Sequence, residues 1–296
     1  MQKWRLIFWV LGVLAALPVY ADDAEDVDSL CRKIAQKLSS VEYSDCVGLG
    51  YDAYKTRSRR DTPLLMKEYK SSNKIAPKIL FLGGIHGDEY SSVSATFKWL
   101  KTLGAHHSGA YHWLFLPLVN PDGLLRKKSQ RMNDHNVDLN RNFPPDGQSS
   151  ASMKYWKVKE NKDPRKYPGP EPASEPETKA IMEIIKSFKP DVIVSVHAPY
   201  DLLDFDGEAF APEKLGPLEL KLLGTYPGSL GNYAWLTLNI PVITIELPNA
   251  EVMPVDTEIN DIWVDFVRWL KFEQPKIQQV QRVAANQDSL KEDGIR

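Results

Sequence analysis

Lys78-Ile79-Leu80-Phe81-Leu82-Gly83-Gly84-Ile85-His86-Gly87-Asp88-Glu89 is the stretch on which the fold turns. An apolar run closed by paired glycines reads as a buried strand, and polar residues follow it at once. The layout recurs twice. Asp191-Val192-Ile193-Val194-Ser195-Val196 delivers His197, and Pro241-Val242-Ile243-Thr244-Ile245 delivers Glu246. In open α/β sheets, ligands bind in the crevice beyond the carboxyl ends of the strands. Two histidines and a glutamate gathered there are the donor types of a catalytic zinc site, and a further glutamate can act as its base. The pattern points to a metal-assisted hydrolase.

Outward from these runs, strands alternate with helices. Leu30, Ile34 and Leu38 recur at helical spacing within Asp26 to Leu38. Tyr54 to Tyr69 reads as two strands around the turn Arg59-Arg60-Asp61-Thr62-Pro63. A helix is expected from Ser91 to Leu103, then a strand from His112 to Val119 entering the turn Asn120-Pro121-Asp122-Gly123. Ser174-Glu175-Pro176-Glu177 has the form of a capping box, ahead of a helix that buries Ile181, Ile184, Ile185 and Phe188. Ile259, Ile262, Trp263, Phe266, Val267 and Leu270 mark a last amphipathic helix. The fold class expected is α/β, a three-layer α/β/α arrangement around a mixed, mostly parallel sheet.

Residues 1 to 21 have the plan of a secretory signal. Lys3 and Arg5 precede an apolar stretch from Leu6 to Val19, and Val19-Tyr20-Ala21 offers small residues at cleavage spacing. The stretch is short for a membrane span, which needs about 20 apolar residues. The expected boundaries are thus a signal at 1–21, a helical segment at 22–50, a catalytic domain at 51–274 and a polar tail at 275–296. The destination expected is export, to a periplasm or beyond. Losing Lys3 and Arg5 moves the net charge from −2 to −4, which gives no reason to expect nucleic acid or an anionic membrane as partner. In an oxidising compartment Cys31 and Cys46, the only cysteines, form a candidate disulfide; two buried thiols are the alternative.

At the site, His86 and Glu89 are three residues apart, so one tight turn can aim both at a single ion. With His197 they would leave a fourth zinc position open, as catalytic rather than structural sites do. Glu246 is the candidate base that would take a proton from the attacking water. A lone His-x-x-Glu arises easily by chance, a strand-end histidine is often a satisfied core residue, and Glu246 before Pro248 could be an ordinary surface carboxylate. The balance shifts at Arg131-Met132-Asn133-Asp134-His135-Asn136-Val137-Asp138-Leu139-Asn140-Arg141-Asn142-Phe143-Pro144. Dense Asn, Asp and Arg suits a loop making directed polar contacts rather than a strand or helix. Arg141 beside Asn140 suggests a site for a carboxylate, which a guanidinium holds through two parallel hydrogen bonds.

The chain resembles the zinc metallocarboxypeptidases related to carboxypeptidase A, and within them the murein peptide amidase A branch. The matching segments are Gly84-Ile85-His86-Gly87-Asp88-Glu89, Val119-Asn120-Pro121-Asp122-Gly123, Val137 to Pro144, Ser174-Glu175-Pro176-Glu177-Thr178 and Pro227-Gly228-Ser229-Leu230-Gly231. Carboxypeptidase A is itself the standard example of a zinc site with two His and one Glu. The resemblance implies one Zn2+ held by His86, Glu89 and His197, with Glu246 as general base and proton shuttle. It implies that Asp138 orients the imidazole of His86. Asn140 and Arg141 would bind the free carboxylate of the released residue. Arg131 would stabilise the oxyanion, with Arg126 as its rival. Tyr226 is a candidate for the family's substrate-capping tyrosine.

That branch cleaves the γ-D-glutamyl bond to diaminopimelate, so the resemblance implies a peptidoglycan peptide as substrate. The specificity stretch around Ser229-Leu230-Gly231 is uncharged and announces neither a basic nor an acidic side chain. The loop from Pro145 to Pro172, with Tyr155, Trp156 and Tyr167, is expected to rim the site. Two other classes share features: deacylases of small N-acyl amino acids, which carry similar Gly-Gly-x-His-Gly-x-Glu openings, and non-catalytic wall binders on a hydrolase scaffold. The Pro227–Gly231 match favours the peptidase over the first, and the complete set of ligands and base favours it over the second.

Overall fold

In the computed structural model, which describes residues 20–145, 150–273 and 276, the three apolar runs become neighbouring parallel strands. The first elements are helices α1 (Tyr20–Lys37) and α2 (Tyr43–Gly48), then the hairpin of β1 (Asp52–Arg57) and β2 (Pro63–Tyr69). Next come β3 (Lys78–Leu82), α3 (Tyr90–His106), β4 (His112–Leu116) and the single turn α4 (Pro121–Leu124). Helices α5 (Ala151–Val158) and α6 (Pro176–Phe188) precede β5 (Val192–His197) and β6 (Leu202–Asp206). A short hairpin, β7 (Lys214–Leu215) with β8 (Leu218–Glu219), leads through a π-helical turn at Asn232–Thr237 to β9 (Val242–Glu246) and α7 (Asp256–Phe272). The expected signal segment and polar tail lie, but for Tyr20, Ala21 and Lys276, outside the described residues.

The main sheet has seven strands in the order β1-β2-β4-β3-β5-β9-β6. Its four middle strands are parallel, whereas β1, β2 and β6 join through antiparallel pairings. Alternation along the strands sends Phe81, Val194 and Ile245 toward α1, α3 and α7, in a core with Phe97, Trp99 and Phe266. Leu80, Leu82 and Ile193 face the other way, into a second core with Ile181, Ile184 and Ile185 of α6. Helices thus cover both faces, the three-layer α/β/α arrangement.

Two local expectations need correction. The turn at Asn120–Gly123 closes into helix α4, whose first turn is capped by the Asn120 side chain accepting from Gly123 N at 2.8 Å. The capping box does not form. Pro176, with no N–H to satisfy, takes the first helical position and moves the cap to Glu175. The Ser174 hydroxyl instead donates to Glu175 Oε1 at 2.8 Å, and buried Glu177 accepts from Asn133 Nδ2 at 3.2 Å.

The segment after β3 has little freedom. Gly87 N donates to Arg131 O at 3.3 Å, and Asn120 Nδ2 reaches both Arg131 O and Ile85 O. A Cβ on Gly87 would lie 2.3 Å from the Gly123 carbonyl carbon and 2.4 Å from Leu124 N, both backbone atoms that cannot swing away. Gly87→Ala is therefore expected to destabilise the fold by about 1–3 kcal/mol, as overpacking does, and to shift His86 and Glu89 together. Thermal unfolding and metal content of the purified variant check this; a variant with unchanged melting and metal content would show that the approach is not binding.

Cys31 of α1 and Cys46 of α2 are joined in a disulfide, with Cα atoms 5.6 Å apart and a sequence separation of 15. Closing a loop of that size stabilises by roughly 3 kcal/mol in the chain-entropy model. The double variant Cys31→Ala/Cys46→Ala should lose about 2–3 kcal/mol in urea unfolding, with no change in activity because neither cysteine lines the cavity at the strand ends.

Candidate active site

His86, Glu89, His197 and Glu246 stand beyond or at the carboxyl ends of β3, β5 and β9, three adjacent strands. They line one cavity of about 580 Å³, and Arg131, Asn140, Arg141 and Tyr226 line it as well. Nδ1 of His86 lies 2.7 Å from Glu89 Oε1, and Nδ1 of His197 lies 3.0 Å from Glu89 Oε2. The two Nδ1 atoms are 3.1 Å apart. All three side chains are buried.

Asp138, fully buried, sits behind His86 with Oδ1 3.2 Å from Nε2. Burial alone would raise its carboxyl, but Arg131 and His86 hold it well below the usual carboxylate range. An ionised Asp138 can only accept, so it accepts from Nε2–H of His86 and leaves Nδ1 facing Glu89 and His197. Three candidate ligand atoms thus converge on one point. Tetrahedral zinc bonds of 2.0–2.3 Å would set such donors about 3.3 Å apart. The donor set fits zinc.

Glu246 is also buried, and its Oε2 has no hydrogen-bond partner. Burial, and after it the charge of Glu89, push its carboxyl up to about 8. A carboxylate with one oxygen free of partners at the cavity wall, with affinity for a proton near neutral pH, has the properties of a general base. Its register partner across β5 and β9 is His197, so the sheet sets the spacing between them.

Arg131 donates from Nε to Asp138 Oδ2 at 2.8 Å, and its Nη1 lies 3.7 Å from Glu89 Oε1. Arg126 does not reach the cavity. Its Nη2 pairs with Asp134 Oδ1 at 2.8 Å, so the geometry leaves Arg131 as the arginine beside the donor cluster. Asn140 and Arg141 lie on a short 3-10 turn, Leu139–Arg141, started by the Asp138 side chain accepting from Asn140 N at 2.9 Å. Asn140 Oδ1 accepts from Leu230 N at 2.8 Å. The Arg141 guanidinium lies 4.9 Å from the centre of the Tyr226 ring, and its buried Nε has no acceptor. An unmatched guanidinium donor in a cavity is a seat for an anionic group.

The Asn-rich loop makes the directed contacts its composition predicts. Asn142 Nδ2 donates to Pro168 O and Ser174 Oγ, and Asn133 Nδ2 donates to Glu175 Oε2. The aromatic rim expected over Pro145 to Pro172 is different. Glu160, Asp163, Arg165 and Lys166 reach the cavity, whereas Trp156 packs on Tyr167 and Tyr155 on Tyr226. The sequence reading gave no role to several polar lining residues, Ser195, Asp204 and Asp206 among them.

Comparisons with known proteins agree with this geometry. The zinc carboxypeptidase family matches residues 52–205, just over half of the chain. The chain is 36% identical over 197 residues to murein peptide amidase A of Escherichia coli K12, a match covering 64% of this chain and 79% of that one. The crystal structure of murein-tripeptide amidase from Escherichia coli O157 superposes with a TM-score of 0.51 at 27% identity, covering 74% of this chain and 89% of that one. Carboxypeptidase A from Helicoverpa armigera shares the fold, with a TM-score of 0.57 at 17% identity over 85% and 80% of the two chains. With this match, and with its His-Glu-His donor cluster in place, the chain belongs to the zinc carboxypeptidase family of metallopeptidases and amidases.

Proposed function

We propose that the protein is a zinc-dependent amidase of carboxypeptidase type that acts on peptidoglycan stem peptides, cleaving the bond between γ-D-glutamate and diaminopimelate. One observation carries the reading. A carboxylate with one free oxygen, Glu246 Oε2, and a guanidinium with one free donor, Arg141 Nε, share one cavity with the His86–Glu89–His197 donors. The relatives named for murein peptides supply the substrate class.

His86, Glu89 and His197 would hold the ion, which when bound polarises the scissile carbonyl and acidifies an attacking water. Arg141, with Asn140 beside it, binds the free carboxylate of the residue to be released and so sets the position of the amide. Glu246 takes the proton of the attacking water and returns it to the leaving nitrogen. Arg131, held by Asp138, stabilises negative charge on the carbonyl oxygen. Tyr226 packs over Arg141 and closes the carboxylate side.

The test is incubation of purified protein with L-Ala-γ-D-Glu-diaminopimelate, with and without a zinc chelator, and mass spectrometry for free diaminopimelate. Chelator-sensitive release is expected. Glu246→Gln should lower turnover about 10²–10⁴-fold while zinc content stays unchanged, since only the base is altered. Near wild-type turnover by that variant would remove Glu246 from its role. Failure of the wild type to release diaminopimelate would turn the search to ordinary peptides and N-acyl amino acids.

The signal-like residues 1–21 support action outside the inner membrane. Among the described residues no helix is long and apolar enough to cross a membrane. Cell fractionation is expected to find the protein in the periplasm without residues 1–21; intact chain confined to the cytosol would overturn this part of the reading.

A further inference from the structure

A second opening lies outside the active-site cavity. Helix α6 and the π-helical turn Asn232–Thr237 leave between them a groove of about 690 Å³. Met182, Ile185, Tyr233 and Ile240 give it an apolar floor continuous with the second core. Leu238 also lines it and is 39% exposed. Pro190 and Ile240 lead into β5 and β9, so one end of the groove meets these strands at the ends opposite His197 and Glu246.

The rim of this apolar groove is basic. Lys179, Lys186 and Lys189 line it, all exposed, and span about 15 Å at the helical rise. Among the described residues none of the three is paired with a carboxylate. The acid in the lining, Glu183, is already matched, by Lys55 Nζ at 3.0 Å and by the Tyr54 hydroxyl, which donates at 3.2 Å. Lys189 closes α6 in the left-handed region, φ 54°, where glycine or asparagine is the usual residue. A lysine kept at a strained position adds a third charge to the rim. Net charge, which gives no reason to expect an anionic membrane as partner, averages this local excess away.

Apolar surface ringed by unpaired cations is complementary to an anionic amphiphile. The kind of amphiphile is decided by Leu236, 47% exposed, which stands on the π-helical turn but outside the groove lining. A peptide segment filling the groove would leave Leu236 in water, whereas a lipid surface covers it together with Leu238. Tyr233 and Trp235, both part-buried on the same turn, are residue types that favour the headgroup level. We propose that this face docks the protein on an anionic phospholipid surface, with the three lysines on headgroup phosphates and Leu236 and Leu238 in the acyl layer. The cavity stays open to substrate, because among the described residues none lines both groove and cavity.

The test is flotation on vesicles of the purified protein without residues 1–21, the form expected after export. One set of vesicles contains phosphatidylethanolamine and phosphatidylglycerol, the other phosphatidylcholine alone. Each lysine near an anionic surface strengthens binding about fivefold, so the three should favour the first set by roughly 100-fold at low salt. High salt should remove that preference. Lys186→Gln/Lys189→Gln should lower it about 25-fold, and Leu236→Ser should weaken binding several-fold. Lys127→Gln/Lys128→Gln removes two exposed lysines beyond the carboxyl end of β4 and should leave the preference within about twofold. Melting temperatures confirm that the variants fold, and the salt comparison needs no variant. Equal binding to the two sets, a preference that survives high salt, or equal loss in the two double variants overturns the proposal. Binding to soluble polyglutamate without binding to vesicles gives the groove to an acidic protein and likewise overturns it.

Discussion

The site depends on one buried carboxylate. Asp138 reaches His86 Nε2, Arg131 Nε and Asn140 N at 3.2, 2.8 and 2.9 Å, with no exposure to solvent. A charge so placed would be prohibitively costly without these partners, so it holds all three where they are. Each belongs to a different part of the cavity: a member of the His-Glu-His cluster, the arginine beside that cluster, and the turn that presents Arg141. The main chain reinforces the tie, since Asp138 N donates to Tyr167 O at 2.8 Å and anchors the long segment at the rim. Loss of the Asp138 charge would release Arg131, His86 and the turn that presents Arg141 at once.

The sheet contributes the second constraint. Parallel pairing of β3, β5 and β9 brings three strand ends to one edge, and register fixes His197 opposite Glu246. The same face starts apolar under α6 and turns polar toward β6. The second core therefore ends where the cavity begins, and polar side chains occupy the place that Leu or Ile would fill elsewhere.

The strands that carry His86, His197 and Glu246 were legible because β-branched runs bounded by Gly or Pro leave little alternative, and these three residues follow them directly. The Asn-rich loop was legible as a polar scaffold, since no packed element tolerates that composition. Strand β6 was not. Nothing in Leu202-Leu203-Asp204-Phe205-Asp206 singled the segment out, and only antiparallel pairing with β9 turns its two acids toward the cavity. The choice between Arg131 and Arg126 was equally beyond the sequence, because it depends on Asp134 capturing one and Asp138 the other. The capping box failed for a local reason: its spacing is right, but proline at the first helical position sets a different cap.

Strand β6 lies at the rim of the sheet, paired along one side with β9 and touched on the other by the single bridge from Leu203 to Leu220. The ends of β5 and β9, by contrast, are locked by neighbours on both sides. His197 and Glu246 thus stand on inner strands, and Asp204 and Asp206 on an outer one. Such a division lets the acids of β6 change without touching the pairing of β5 with β9, which sets His197 opposite Glu246.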